Sequence, residues 1–119
     1  MQINASCRAL AQKACINLSK LTMGNIRDGL VVGSSILPGT LDGHRVSKVV
    51  TVKVIGGNRV RITTEPVEKT DTAYNYQTDV FELQDSSTEE PPDKSVVDFM
   101  SHAIMAVLGW TKERVDFKD

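Results

Sequence analysis

The chain has 119 residues, of which 40% are apolar and 24% charged, and its formal net charge is −1. These values predict one globular domain with a modest core and exclude a polycation, so nucleic-acid binding would depend on where the basic residues lie. The opening residues MQINASCRAL lack the basic segment and apolar run of a secretory signal, and no apolar run reaches membrane-spanning length. We therefore expect a soluble, intracellular protein.

Residues 1–28 form the N-terminal element, whose pattern supports two predictions. A helix would align five apolar residues along one face: Cys7, Leu10, Ala14, Leu18 and Leu21. The frequency of alanine slightly favours that helix. The alternative is a β-hairpin in which residues 3–10 pair with residues 14–21 and the chain turns near Ala11.

A hairpin is predicted at the centre of the chain. Residues 45–55 (RVSKVVTVKVI) and residues 59–65 (RVRITTE) alternate and are rich in β-branched side chains, and the GGN between them favours a turn. A two-residue loop would place Val54 opposite Arg59 and mix the two faces, so a three-residue loop is the consistent choice. That loop pairs Val54 with Val60, Val52 with Ile62 and Val50 with Thr64.

The opposite face of this hairpin is predicted to be polar and basic. It holds four cross-strand pairs: Val49 with Glu65, Thr51 with Thr63, Lys53 with Arg61, and Ile55 with Arg59. Two cations directly opposite each other repel, and a polyanion lying on this face would remove that penalty. Lys48 falls on the apolar side, where we expect a strand end that lets its amine reach water.

Further strands are predicted on both sides of the hairpin, which gives an antiparallel sheet over residues 29–84. Residues 29–37 (GLVVGSSIL) form one strand, followed by Pro-Gly and Asp-Gly turns. Residues 74–84 (YNYQTDVFELQ) form another, but their alternation breaks near Val80-Phe81, which predicts a bulge or a shifted boundary there. Residues 66–73 (PVEKTDTA) are a polar connecting loop.

An acidic, proline-containing linker, residues 85–95, precedes a C-terminal helical segment over residues 96–119. The helix is predicted to be capped by Asp93 or Ser95 and to stop at Gly109, after which the tail would add a short second helix. Its apolar stripe comprises Val96, Val97, Phe99, Met100, Ala103, Ile104, Val107 and Leu108. Because one helix covers only one face of a sheet, the other face must be solvated or meet a partner.

Residues that commonly carry chemistry are sparse. Cys7 and Cys15 would lie opposite each other in the alternative hairpin, and we expect both to be reduced. No serine, cysteine or acidic neighbour makes His44 or His102 a convincing catalytic or metal-binding residue, and no glycine-rich phosphate loop occurs. We therefore expect no enzyme, no catalytic residue, no metal or other cofactor, and no small-molecule substrate.

From about Gly29 to Leu108 the succession of elements resembles the coat proteins of the single-stranded RNA bacteriophages, the levivirus-like capsid proteins. The similar stretches are GLVVGSSIL, KVVTVKVIGGNRVRITTEPV, YNYQTDVFELQ and DKSVVDFMSHAIMAVL. The shared pattern is a strand, a long Val/Thr/Lys-alternating hairpin with Asn-Arg near its turn, a further strand and a C-terminal helix.

The resemblance implies an α+β fold in a single coat-protein-like domain, with an antiparallel meander sheet of about five strands. An N-terminal hairpin precedes the sheet in that family, so we take the hairpin over the helix. One or two C-terminal helices pack across a dimer partner. Such homodimers close into an icosahedral capsid in the cytoplasm of the bacterial host, without a membrane, and the open sheet face binds genomic single-stranded RNA and a stem-loop that represses translation.

The family's RNA-facing positions correspond to Thr51, Lys53, Arg59, Arg61 and Thr63. On the later strand the resemblance implies a base-stacking aromatic residue and a polar residue two places on. Tyr76 with Thr78, or Gln77 with Asp79, would fill these roles, and we single out Tyr76 and Asp79. The residue types suit the task, because cations meet phosphates, hydroxyls bond phosphates, sugars or base edges, and aromatic rings stack on bases.

A different class of function remains open. In this alternative the chain is a small phage-encoded or bacterial interaction protein. It acts as a dimeric binder or inhibitor of a host protein and contacts that protein through a sheet edge or the basic face. Val49 stands where the coat proteins commonly have a basic residue, and loop 66–73 is shorter than in their best-known members. Uniform particles that contain RNA would distinguish a shell subunit from such a binder.

Overall fold

The computed structural model describes residues 3–20, 29–41, 44–56, 59–68, 77–83 and 92–109. They form an α+β fold with helix α1 (Ala5–Ser19), strands β1 (Leu30–Leu41), β2 (His44–Val54), β3 (Arg59–Pro66) and β4 (Gln77–Glu82), and helix α2 (Lys94–Leu108). The strands make one antiparallel sheet in the order β1-β2-β3-β4. Four strands lie in the described ranges, where about five were expected. Among the same residues, neither helix has the length and apolar character of a membrane span.

The N-terminal element is helix α1, so the predicted N-terminal hairpin is wrong. Asn4 caps the helix, because its side-chain oxygen accepts hydrogen bonds from Ser6 N at 2.8 Å and Cys7 N at 3.3 Å. Four alanines, the residue with the highest helix propensity, lie within α1. Its buried residues are Cys7, Leu10, Ala11, Ala14 and Cys15. Cys7, Leu10 and Ala14 belong to the face that the helical alternative predicted. Leu18 of that face is half-buried, and Leu21 lies outside the described residues.

The central hairpin has the predicted register. Val54 lies opposite Val60, Val52 opposite Ile62 and Val50 opposite Thr64. Ile55 N donates to Arg59 O at 3.2 Å, which leaves a three-residue loop between them. Gly56 takes a left-handed φ of 103°, a conformation that glycine adopts without strain. Asn58, the last residue of this loop, lies outside the described residues.

Both helices lie on one face of the sheet. The buried core of that face joins valines of β2 and β3 with α2 residues such as Met100, Ile104 and Leu108. Phe81 on β4 and Phe99 on α2 add an edge-to-face ring contact with centroids 6.3 Å apart. Full burial of each large apolar side chain stabilises the fold by about 1.5–3 kcal/mol. The predicted α2 stripe therefore packs within the chain.

The end of α2 is fixed to the sheet by hydroxyl groups. Thr40 Oγ1 donates to Gly109 O at 3.0 Å, and Thr64 Oγ1 donates to Val107 O at 3.4 Å. At the other end Asp93 is the N-cap and accepts from Ser95 N at 3.0 Å. The predicted stop at Gly109 is confirmed, and these bonds hold α2 over its own strands.

Lys48 does not reach water from a strand end, as the sequence had suggested. It lies within β2, opposite Leu37 and Pro66, and only 1% of its surface is exposed. Gly39 leaves room for the Lys48 side chain, because a Cβ at this position would lie 2.8 Å from Lys48 Cδ and 3.0 Å from Leu108 O. Burial lowers the pKa of Lys48 because it removes water from the ammonium group.

Candidate nucleic-acid interface

The second face of the sheet is the candidate site. Side chains alternate between the two faces of a strand, so the residues between the buried valines of β2 and β3 point away from both helices. Thr51, Lys53 and Thr63 are half-buried on this side, and Arg59 and Arg61 are exposed. Among the described residues no helix covers this side, which we call the open face.

Two cationic side chains lie opposite each other on the open face, near the turn between β2 and β3. Lys53 on β2 lies directly opposite Arg61 on β3. In the same row across the strands, Val31 on β1 lies opposite Lys53, and Val80 on β4 lies opposite Arg61. We call Lys53 and Arg61 the cation row. At a separation of about 5 Å in water-like surroundings, two such charges repel by about 1 kcal/mol. An anion placed between them turns that repulsion into attraction.

A row of hydroxyl groups crosses the whole sheet beside the cations. Ser34 on β1 lies opposite Thr51, Thr51 opposite Thr63, and Thr63 opposite Thr78 on β4. We call these four residues the hydroxyl row. Neighbouring strands are about 4.8 Å apart, so the row is about 14 Å long.

A third row, on the far side of the hydroxyls, is apolar at the β1 edge. Ile36 on β1 lies opposite Val49 on β2, and Glu65 continues the rung on β3. We call Ile36 and Val49 the apolar row. Ile36 is 62% exposed, an unusual position for a large apolar side chain.

The structure brings five of the seven predicted site residues together: Thr51, Lys53, Arg59, Arg61 and Thr63. Asp79 lies opposite buried Ile62, on the face that carries the helices, and its carboxylate accepts from the backbone N of Val80 at 2.8 Å. Thr78 lies on the open face instead. Tyr76 is outside the described residues, so its candidate role stays a prediction.

The predicted irregularity near Val80-Phe81 is absent from the described part of β4. Pairing with β3 runs without a shift from Arg59–Glu82 to Thr64–Gln77. The alternation of residue types breaks there because Val80 is an apolar residue on the open face while Asp79 is an acidic residue on the opposite side. The order of residue types along β4 is therefore unusual, whereas the pairing of β4 with β3 is regular.

Sequence reasoning missed Ser34 and Ile36, because a bulge changes the alternation of β1. Val31 pairs with Lys53 and Gly33 with Val52, so Val32 is the extra residue. Beyond the bulge, even-numbered residues occupy the open face. The consecutive valines followed by glycine in GLVVGSSIL were the available signal.

The remaining candidate groups give no second site within the described ranges. Cys7 and Cys15 are free thiols on the buried face of α1, and burial raises the pKa of each to about 11. No three histidine, cysteine or acidic side chains in these ranges come together to hold a metal ion. The arrangement of the open face offers binding of an anionic polymer.

Comparisons with protein-family models, with curated proteins and with solved structures found no match for this chain.

Proposed function

We propose that this protein is the coat subunit of a single-stranded RNA bacteriophage-type capsid, a homodimer that assembles into an icosahedral shell and binds genomic RNA on the open face. The observation that carries the proposal is the cation row, with Lys53 and Arg61 opposed on a sheet face that the described helices leave uncovered. A polyanion is the partner that makes this pair favourable, because bound phosphates release counterions and neutralise the repulsion. An RNA stem-loop that represses translation would bind the same face.

The two edges of the sheet support pairing through one of them. On β1, Pro38 has no backbone N–H, Val32 forms a bulge, and Asn17 Nδ2 donates to Val32 O at 2.6 Å. These features obstruct the addition of a strand. On β4 the Val80 N–H donates to the adjacent Asp79 carboxylate, a local contact that strand pairing would replace. In the proposed dimer, two β4 strands therefore pair antiparallel.

Helix α2 would contribute to the same dimer. Phe99 of α2 packs on Phe81 of β4, so the helix lies close to the proposed pairing edge. Joining two β4 edges would bring the two α2 helices next to each other on the covered side. This differs in part from the coat-protein pattern, because α2 also covers its own sheet and an N-terminal helix stands in place of a hairpin.

Expression in bacteria tests the proposal. We expect uniform particles in electron micrographs and an ultraviolet spectrum with a nucleic-acid component that persists until the particles are opened and treated with ribonuclease. A stable monomer or dimer that carries no RNA would contradict the shell proposal. Replacing Val80 with proline should disrupt pairing at β4, and the matched substitution of exposed Lys13 on α1 with glutamine should not.

The exposure of Ile36 favours a second candidate function. A dimeric module that binds a host protein would bury this side chain and the 49%-exposed Val31 at its interface. In that case the purified protein would be a small RNA-free dimer, and Ile36→Ser would abolish capture of its partner. The substitution would leave the dimer itself intact.

A further inference from the structure

Three consecutive rows of the open face follow one another along the strands. Starting beside exposed Arg59, which lies opposite Glu82, they are the cation row, the hydroxyl row and the apolar row. Residues on the same face of a strand are two positions apart, so adjacent rows on β2 are separated by about 6.7 Å. Across a nucleic-acid strand, the chemistry changes in the same order, from phosphate to ribose to base.

We propose that a single RNA strand crosses the four β-strands with its riboses over the hydroxyl row, and that these hydroxyls bind the ribose 2′-hydroxyls and select RNA over DNA. This inference rests on the proposed function, since it concerns how the same face binds its polymer. Phosphates lie over Lys53 and Arg61. Bases lie against Ile36 and Val49, which accounts for the exposure of Ile36.

The chemistry of a hydroxyl row fits the ribose. A Ser or Thr hydroxyl both donates and accepts, and so does the 2′-hydroxyl that DNA lacks. Ser34 and Thr78 are exposed at the ends of the row, and Thr51 and Thr63 are half-buried at its centre. All four strands therefore present one group of the same type toward the ligand.

Lys53 and Arg61 lie on one side of the hydroxyl row, and this position favours one orientation of the strand. The opposite orientation would place phosphates over the apolar row and near the carboxylate of Glu65, which continues that row on β3. A phosphate there would lie two rows away from Lys53 and Arg61 and would lose most of its attraction to them. The cations on the other side attract it, so a single orientation is favoured.

The test compares a fluorescent oligouridylate with the oligodeoxyuridylate of equal length, which differ only at the 2′ position. For the wild-type protein we expect RNA to bind about tenfold more tightly, the equivalent of one or two added hydrogen bonds. Thr51→Val with Thr63→Val keeps the side-chain shape and removes two hydroxyls. It should lower the affinity for RNA to near that for DNA and leave the salt dependence unchanged.

Two control variants separate the roles of hydroxyls and charges. Ser47→Ala removes an exposed hydroxyl from β2 outside the row and should preserve the preference for RNA. Lys53→Gln with Arg61→Gln should weaken binding of both polymers equally and reduce the salt dependence. Circular dichroism and thermal unfolding confirm the fold of each variant. If the double valine variant does not fold, Ser34→Ala with Thr78→Ala provides the same test at exposed positions.

The outcomes distinguish this inference from the proposed function. Equal binding of RNA and DNA by the wild type, or a preference that survives loss of the hydroxyls, would overturn the role of the hydroxyl row and leave RNA binding by charge intact. Absence of binding to either polymer would instead refute the proposed function itself.

Discussion

Lys53 and Arg61 lie directly opposite each other on β2 and β3, on the side of the sheet away from both helices. Like charges directly opposite each other on neighbouring strands destabilise a sheet. The core on the other side of the same strands does not require these residue types. The pair is therefore the basis of the proposal that the open face binds an anionic ligand.

Replacing both cations with glutamine should weaken RNA binding and make it less sensitive to salt. Each lost phosphate contact lowers the slope of log affinity against log salt by about 0.7 for a single strand, so the double variant should lose about 1.4. Filter binding or fluorescence anisotropy over a salt series measures this. Lys13→Gln, on the exposed side of α1, is the matched control. An unchanged slope in the double variant would place the RNA elsewhere.

Replacing buried Lys48 with methionine should stabilise the protein by about 1 kcal/mol, because an apolar side chain of similar length avoids the cost of burying a charge. Urea unfolding near neutral pH measures the free energy. Lys53→Met, on the open face of the same strand, should give no comparable gain. A loss of stability in Lys48→Met would mean that the ammonium group makes a favourable contact inside the fold.

The same lysine predicts how stability depends on pH. Burial lowers the pKa of Lys48 in the folded state, so between its folded and unfolded pKa values the unfolded chain binds more protons. The free energy of unfolding contributed by this group therefore rises with pH across that interval. Unfolding curves over the alkaline range should show a smaller rise in Lys48→Met than in the wild type.

Removing the cap of α1 tests the helix that replaced the expected hairpin. Asn4→Ala leaves the Ser6 and Cys7 amides without their side-chain acceptor and should lower the free energy of unfolding by about 1 kcal/mol. Chemical denaturation followed by circular dichroism measures it. Gln12→Ala, at an exposed position within the helix, should have little effect. Equal effects of both substitutions would argue against Asn4 as the cap.

The two cysteines should resist alkylation while the protein is folded. A pKa of about 11 in place of 9.0 lowers the thiolate fraction near neutral pH about a hundredfold, and burial restricts access further. Mass spectrometry after iodoacetamide treatment compares native protein with protein in urea. Rapid labelling of Cys7 or Cys15 under native conditions would contradict their burial on α1.

The sheet and α2 were predictable from the sequence because their patterns are local and repeated. The alternation of β2 and β3, with one loop length that keeps the faces uniform, determined the register from Val54–Val60 onward. The apolar spacing and Gly109 likewise located α2 and its end. In each case a single periodicity agreed with the turn or cap chemistry beside it.

The features that escaped prediction depend on tertiary context. For residues 5–19 the intrinsic preference of alanine was correct, and the expectation taken from the resemblance overrode it. A one-residue bulge at Val32 moved Ser34 and Ile36 to the open face, because the alternation on one side of a bulge does not determine the alternation on the other side. The burial of Lys48 depends on space beside Gly39, a residue of the neighbouring strand β1. The sequence around Lys48 does not reveal that contact, so it predicts a strand end instead.

The two edge strands of the sheet, β1 and β4, differ in how readily they can pair with a strand of another copy. A continuous β-sheet of many copies, as in a fibril, can form only if both edge strands of every copy can pair with another strand. Pro38 and the bulge at Val32 obstruct strand addition at β1, so in the proposed dimer backbone pairing would end at two copies. The proposed shell would then grow through contacts between complete dimers, which would favour discrete particles over filaments.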